Sequence, residues 1–205
     1  MADGAAGSLE RVVADRSGRE WCLFLDRDGV VNRRVEGDYV RSWQQFSFLP
    51  GALDALAVLA RWAPHVVVVT NQQGVAKGLM TEADLDDVHA RMTAAVAAAG
   101  GRIDAVLACP HASSAGCPCR KPAPGLAASW LADRPPVDGA LSVMVGDSPS
   151  DVEMARRLGA VTGGCTSVAV SLPGSEADLG RASLVDLAVD LVPLLPSAHP
   201  SRSTR

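Results

Sequence analysis

The chain predicts an α/β fold, a doubly wound parallel sheet, on two observations. Apolar runs of strand length alternate with stretches of helical periodicity through most of the 205 residues, and that alternation belongs to a parallel sheet covered by helices on both faces. Three of the apolar runs also stop on polar residues capable of chemistry. Trp21-Cys22-Leu23-Phe24-Leu25 meets Asp26, His65 to Val69 meets Thr70, and Leu141 to Gly146 meets Asp147. In such a sheet the strand ends that lead into helices share one edge, where ligands bind, so Asp26, Thr70 and Asp147 are expected to converge.

Taken in order, residues 1–18 are polar and Ala/Gly-rich without the apolar core of a signal peptide, and are expected to be flexible. Strand one ends at Asp26. Residues 30–48, with Tyr39, read as a mostly polar excursion, a turn or small hairpin standing over the strand ends. Pro50-Gly51 opens a helix whose apolar side is Leu53, Leu56, Val58 and Leu59. The β-branched run His65–Thr70 is expected to be buried on both faces. Thr81 suits an N-cap, and Leu85, Val88, Met92 and Val96 recur at helical spacing until Gly100-Gly101. Ile103–Cys109 is the third strand and Leu141–Gly146 the fourth, followed by Ser148 as N-cap and Pro149 at the first helical position. Ala160–Val170 supplies a fifth strand and 183–195 a closing helix. One domain is therefore expected over 19–195, with a disordered Ser/Pro/Arg-rich tail at 196–205.

Composition removes several classes of function. No run of eighteen apolar residues exists, so no membrane segment is expected and the protein reads as cytoplasmic. A net charge of -4 and few aromatics argue against a nucleic-acid partner. The expected state is a monomer.

Asp26-Arg27-Asp28-Gly29 sets two carboxylates i, i+2 at the end of a buried strand. Asp-Gly alone is an ordinary turn, but a carboxylate pair there invites a divalent cation and an electrophile such as phosphorus. A carboxylate is ionised near pH 7 and needs no base to act as a nucleophile. With Thr70-Asn71-Gln72-x-Gly74, Cys119-Arg120-Lys121-Pro122 and Gly146-Asp147, the motifs run in order over roughly residues 20–160. The chain thereby resembles phosphatases of the haloacid dehalogenase superfamily. Within it, Asp26-Arg27-Asp28-Gly29-x-x-Asn32, Thr70-Asn71-Gln72-x-Gly74 and Cys119-Arg120-Lys121-Pro122 are most similar to D-glycero-D-manno-heptose 1,7-bisphosphate phosphatases and histidinol-phosphate phosphatases.

The resemblance implies a Rossmann-like core with a minimal cap. It makes Asp26 the nucleophile and Asp28 the general acid and base, with the neighbouring Asp26 charge raising the Asp28 pKa. Thr70 and Lys121 would hold the transferring phosphoryl oxygens. Hard oxygen ligands point to Mg2+ at Asp26, Asp147 and the Asp28 carbonyl, with Asp151 open between a metal role and a helix start. Tyr39, Asn71, Gln72, Gln73 and Arg120 are the expected substrate contacts. Ser148 stands where the family often has a substrate-binding Lys, which puts that contact in doubt.

Cys109-Pro110-His111 and Cys117-Pro118-Cys119, five residues apart, suit a closed tetrahedral Zn2+ site of three thiolates and one imidazole. Disulfides are the alternative, disfavoured without an export signal. Such a zinc would be structural, holding Arg120 and Lys121 over the phosphate. The heptose phosphatases carry a similar Cys-x-His and Cys-x-Cys loop, though the gap here is short for it. The expected function is a Mg2+-dependent phosphatase removing the 7-phosphate of a heptose 1,7-bisphosphate. The alternatives are histidinol phosphate as substrate, or a non-catalytic zinc-stapled binding module.

Overall fold

A computed structural model describes residues 3–196. Six parallel strands form one sheet: β1 (Cys22–Leu25), β2 (His65–Asn71), β3 (Ala105–Cys109), β4 (Val143–Gly146), β5 (Thr166–Val170) and β6 (Leu179–Arg181). Their spatial order is β3-β2-β1-β4-β5-β6. The order reverses between β1 and β4, and a sheet of this winding opens a crevice there, at the carboxyl ends of its strands.

The apolar runs are continuous because both faces are covered. Leu23, Leu25, Val66, Val68, Val143 and Val145 point into one core. It is closed by α2 (Ala52–Trp62), α3 (Glu82–Ala98) and α6 (Leu184–Leu191). Cys22, Phe24, Val67, Val69 and Met144 point into the other, beneath α4 (Gly125–Ala132) and α5 (Pro149–Thr162).

Some expectations are corrected. The N-terminal stretch read as flexible contains α1 (Asp3–Arg16). Leu9 is buried in the first core, and Arg16 donates to the Leu141 carbonyl at 2.7 Å and the Thr166 hydroxyl at 2.8 Å. The expected fifth strand begins later, because α5 continues to Thr162 and turns at Gly163, whose φ is 91°. Neither α4 nor β6 was anticipated. The excursion over the strand ends is no regular hairpin: it is pinned by single bridges from Asn32 to Asp28 and Phe48, with a short 3-10 turn at Trp43–Gln45. Of the tail expected at 196–205, residues 197–205 lie outside the described residues.

Candidate active site

At the carboxyl edge the predicted motifs meet. Asp26 follows β1 with its amide on the Val145 carbonyl at 2.9 Å, so the first strand stays tied to the fourth one residue beyond its end. Lys121, almost fully buried, places Nζ 2.6 Å from Asp26 Oδ1 and 2.7 Å from Asp151 Oδ1. Asp26 Oδ1 also accepts from the Arg27 amide at 2.7 Å. Oδ2 is left to face an approaching electrophile. Burial pushes the Asp26 carboxyl up to about 6 against the pull of Lys121, and Asp151 and Asp28 add repulsion. Burial lowers the Lys121 pKa, but Asp26 and Asp151 outweigh it and hold the ammonium charged.

Asp26, Asp147 and Asp151 present carboxylate oxygens within 4.8 Å of one another. Three hard oxygen donors, two of them on buried residues, fit a small divalent cation such as Mg2+. Glycines make the approach possible: a Cβ on Gly29 would collide with the Asp147 carboxylate, and one on Gly146 with Asp151. Burial raises the Asp147 pKa, only partly offset by Arg34. Asp151 fits the helix-start reading, since Oδ2 caps α5 by accepting from the Ser148 amide at 3.1 Å, while Oδ1 pairs with Lys121.

Asp28 departs from expectation. Burial raises its pKa, but Arg27 and hydrogen bonds from Asn32, Arg27 and Gln72 outweigh this and lower it. Its like-charged neighbour matters less because the fully buried Arg27 reaches both Asp28 oxygens, at 3.1 and 2.9 Å. The other terminal nitrogen of Arg27, Nη1, meets His89 Nε2 at 3.0 Å. Arginine only donates, so His89 accepts and its imidazole is neutral. Burial, then the Arg27 charge, depress its pKa to about 4.

The amides expected to contact substrate divide. Gln72 is fully buried and donates to Asp28 Oδ2 and Thr70 Oγ1, both at 2.8 Å. It therefore orients Asp28 and Thr70 and does not sit at the rim. Accepting from Gln72 leaves the Thr70 hydroxyl proton available to a phosphoryl oxygen. Asn71 clasps the Lys121 backbone, accepting its N–H at 3.0 Å and donating to its carbonyl at 3.1 Å. That clasp holds Lys121 in place alongside the cysteine loop. Ser148 lines the cavity, but its hydroxyl donates to Asp151 at 2.6 Å. Tyr39 stands at the rim, against Gly74. Arg120 turns to Gln73 Oε1 at 3.4 Å and the His111 carbonyl at 3.5 Å, and neither Arg120 nor Gln73 lines the cavity.

That cavity, about 430 Å³, has Asp26, Asp28, Thr70 and Lys121 on its floor and Arg34, Asp38, Tyr39 and Lys77 around its mouth. Arg34 bridges the Asp28 carbonyl at 3.1 Å and Asp147 Oδ1 at 2.8 Å. A larger cleft of about 630 Å³ beside α5 holds Glu153, Arg156 and Asp178, which are tied to one another or to Ser167, and offers no comparable cluster. Arg34, Lys77 and His89 went unread, and Asn32 was read as part of a motif without a role. Only His89 carried a signal, a polar residue four after Leu85 on the apolar side of its helix.

Cys109, His111, Cys117 and Cys119 bring their ligand atoms within 4.8 Å of one another. The sulfurs are 3.3 to 3.6 Å apart and His111 Nδ1 is 3.1 Å from Cys119. A tetrahedron with Zn–S near 2.3 Å has edges of about 3.8 Å, so the cluster fits a zinc ion with slight expansion. All five cysteines are free thiols.

A family model described as HAD-hydrolase-like matches residues 118–171. The D-glycero-alpha-D-manno-heptose-1,7-bisphosphate 7-phosphatase of Mycobacterium tuberculosis is 50% identical over 180 residues, 87% of this chain and 95% of that protein. The chain belongs to the heptose 1,7-bisphosphate 7-phosphatase family. The beta-anomer 7-phosphatase of Bordetella bronchiseptica is 43% identical over 137 residues, 67% of this chain and 75% of its own length. The crystal structure of the D,D-heptose 1,7-bisphosphate phosphatase from B. bronchiseptica complexed with magnesium and phosphate superposes with a TM-score of 0.73 at 36% identity, covering 84% of this chain and 98% of that one. Like that member of the family, this chain is a phosphatase with the HAD fold. Among its described residues no helix is long and apolar enough to cross a membrane.

Proposed function

We propose that this phosphatase removes the 7-phosphate from D-glycero-D-manno-heptose 1,7-bisphosphate through an aspartyl phosphate, and that the α anomer is its substrate. The observation that carries the reading is the convergence of Asp26, Asp28, Thr70 and Lys121 on one cavity floor beside the Asp147 and Asp151 carboxylates. The α assignment follows the relative matched over 87% of the chain at 50% identity; the beta-anomer relative from B. bronchiseptica aligns over 67%.

Asp26 Oδ2 attacks phosphorus, and the bond to the sugar C7 oxygen breaks. Asp28 donates a proton to that oxygen, then removes one from the water that cleaves the acyl phosphate, so Asp26 is regenerated and phosphate leaves. The free Asp28 is ionised, and the arriving phosphate dianion raises its pKa toward the acid form. Thr70 and Lys121 hold the equatorial oxygens as charge builds on them. Asp26, Asp147 and the Asp28 carbonyl would hold Mg2+, with Asp151 supporting them, and the ion would supply the positive charge that lets a carboxylate meet a phosphate dianion. Cys109, His111, Cys117 and Cys119 would hold a structural zinc.

The deciding experiment compares kcat/KM, with Mg2+, for the two anomers of the heptose bisphosphate and for histidinol phosphate. The α bisphosphate should exceed the others by about tenfold or more, a difference of only about 1.4 kcal/mol. Preference for histidinol phosphate would overturn the sugar assignment while leaving the phosphatase chemistry intact.

A further inference from the structure

A general acid transfers its proton only when its oxygen is aimed at the atom that receives it, so the side chains that hold Asp28 bear on the chemistry. Its carboxylate lines the cavity and is held by three donors. Asn32 Nδ2 donates to Oδ1 at 2.9 Å, Gln72 Nε2 donates to Oδ2 at 2.8 Å, and Arg27 Nη2 reaches both oxygens. Asn32 Oδ1, Gln72 Oε1 and Arg27 Nε are buried without a partner among the described residues. Each side chain that holds Asp28 thus leaves one of its own polar atoms unmet, which costs stability and marks an arrangement kept for the carboxylate.

Asn32 and Gln72 are each tied a second time, to the Arg33 carbonyl and the Thr70 hydroxyl. The Arg27 guanidinium, at the end of a long stem, has one further partner among the described residues: Nη1 meets His89 Nε2 at 3.0 Å. We propose that His89, acting through Arg27, is a positioning residue that aims the Asp28 carboxylate at the leaving oxygen. A planar guanidinium held at both terminal nitrogens cannot swing about either contact. With Nη1 released it pivots on Asp28 and takes the carboxylate with it. His89 lies on the buried side of α3 with Leu85, Val88, Met92 and Val96, where an apolar residue would pack without a polar atom to satisfy. Its contact to Arg27, 62 residues away in the chain, accounts for an imidazole there. No residue of α3 lines the cavity, yet the helix takes part in the chemistry through this pair.

This rests on the reading of Asp28 as general acid, and the test separates the two. With Mg2+, kcat/KM is measured on the heptose 1,7-bisphosphate, whose alkoxide needs a proton to leave, and on p-nitrophenyl phosphate, whose phenolate leaves without one. Because kcat/KM ends at the first irreversible step, cleavage of the P–O bond, the later work of Asp28 as a base does not enter. His89→Leu packs but cannot accept from Arg27, and should lower the ratio of the first value to the second by about tenfold or more. His89→Gln, whose amide oxygen reaches Nη1, should keep the ratio within about threefold of the wild-type value. If His89→Leu does not fold, His89→Asn, the same amide too short to reach Arg27, takes its place with the same expected loss. An unchanged ratio, an equal fall on both substrates, or a Gln variant no better than Leu or Asn overturns the inference and leaves the contact purely structural. Asp28→Asn is measured alongside. If it leaves the ratio unchanged, the general-acid reading fails and the inference with it; if it lowers the ratio while His89→Leu does not, the inference alone fails.

Discussion

Charge at single residues sets the catalytic roles. Asp26→Asn keeps shape and hydrogen bonding to Lys121 but removes the attacking oxyanion, so turnover should vanish; substantial residual phosphate release would reject the covalent route. Asp28→Asn should slow turnover by about 10² to 10⁴-fold, the usual weight of one general acid-base group. His89 adds a stability signature. Its pKa falls from 6.5 to about 4 on folding, so the unfolded chain binds more protons between those values and stability declines as pH drops through that window. The loss attributable to this group approaches about 3 kcal/mol. Thermal melts from pH 7 to 4 should show a shallower decline for His89→Gln, whose amide oxygen can still accept from Arg27. Parallel declines would mean that His89 is not held neutral.

Among the elements, α1 departs most from what local sequence suggests, while the cysteine loop brings its four expected ligands together. Leu9 is buried in the core, and truncating a buried Leu to Ala costs about 2–5 kcal/mol. Leu9→Ala should therefore lower the urea midpoint clearly; an unchanged midpoint would show α1 undocked in solution. The loop from Cys109 to Cys119 has no core of its own, so its order depends on the metal. Purified protein should contain about one zinc per chain, and Cys119→Ser should lose it and lower stability. Activity should fall less than zinc content, because Asn71 clasps the Lys121 backbone independently. Freely reactive thiols in metal-free, fully stable protein would refute the zinc assignment.

Over the whole molecule, function works against stability. The fold gathers Asp26, Asp147 and Asp151 within 4.8 Å and raises the pKa of Asp26 and Asp147 chiefly through burial. A divalent cation bound there would relieve that repulsion in the folded state alone. At about 100 times its dissociation constant Mg2+ should add about 2.7 kcal/mol. Differential scanning calorimetry should show this increase in the wild-type protein and little of it in Asp147→Asn; an equal increase in both would place the ion elsewhere.

Some of this was legible in the chain because it is local. A β-branched run buried on both faces, a Ser-Pro helix start and a carboxylate at the end of a strand are each written in a few neighbouring residues, and they pointed to Asp26, Thr70 and Asp147 in advance, while Lys121 was pointed to by the resemblance of its motif. β6 and α4 escaped because a three-residue strand and an eight-residue helix lack a full period of pattern; α1 escaped because its apolar residues look sparse until the sheet edge is there to meet them. The partners of Gln72, Asn71 and Arg120 were beyond local reading, since a polar side chain is fixed by groups distant in the chain. Gln72 meets an aspartate 44 residues away and Asn71 a backbone 50 residues away. The chain alone determined which chemistry is carried; tertiary structure decided which polar groups hold the site together and which remain free for the substrate.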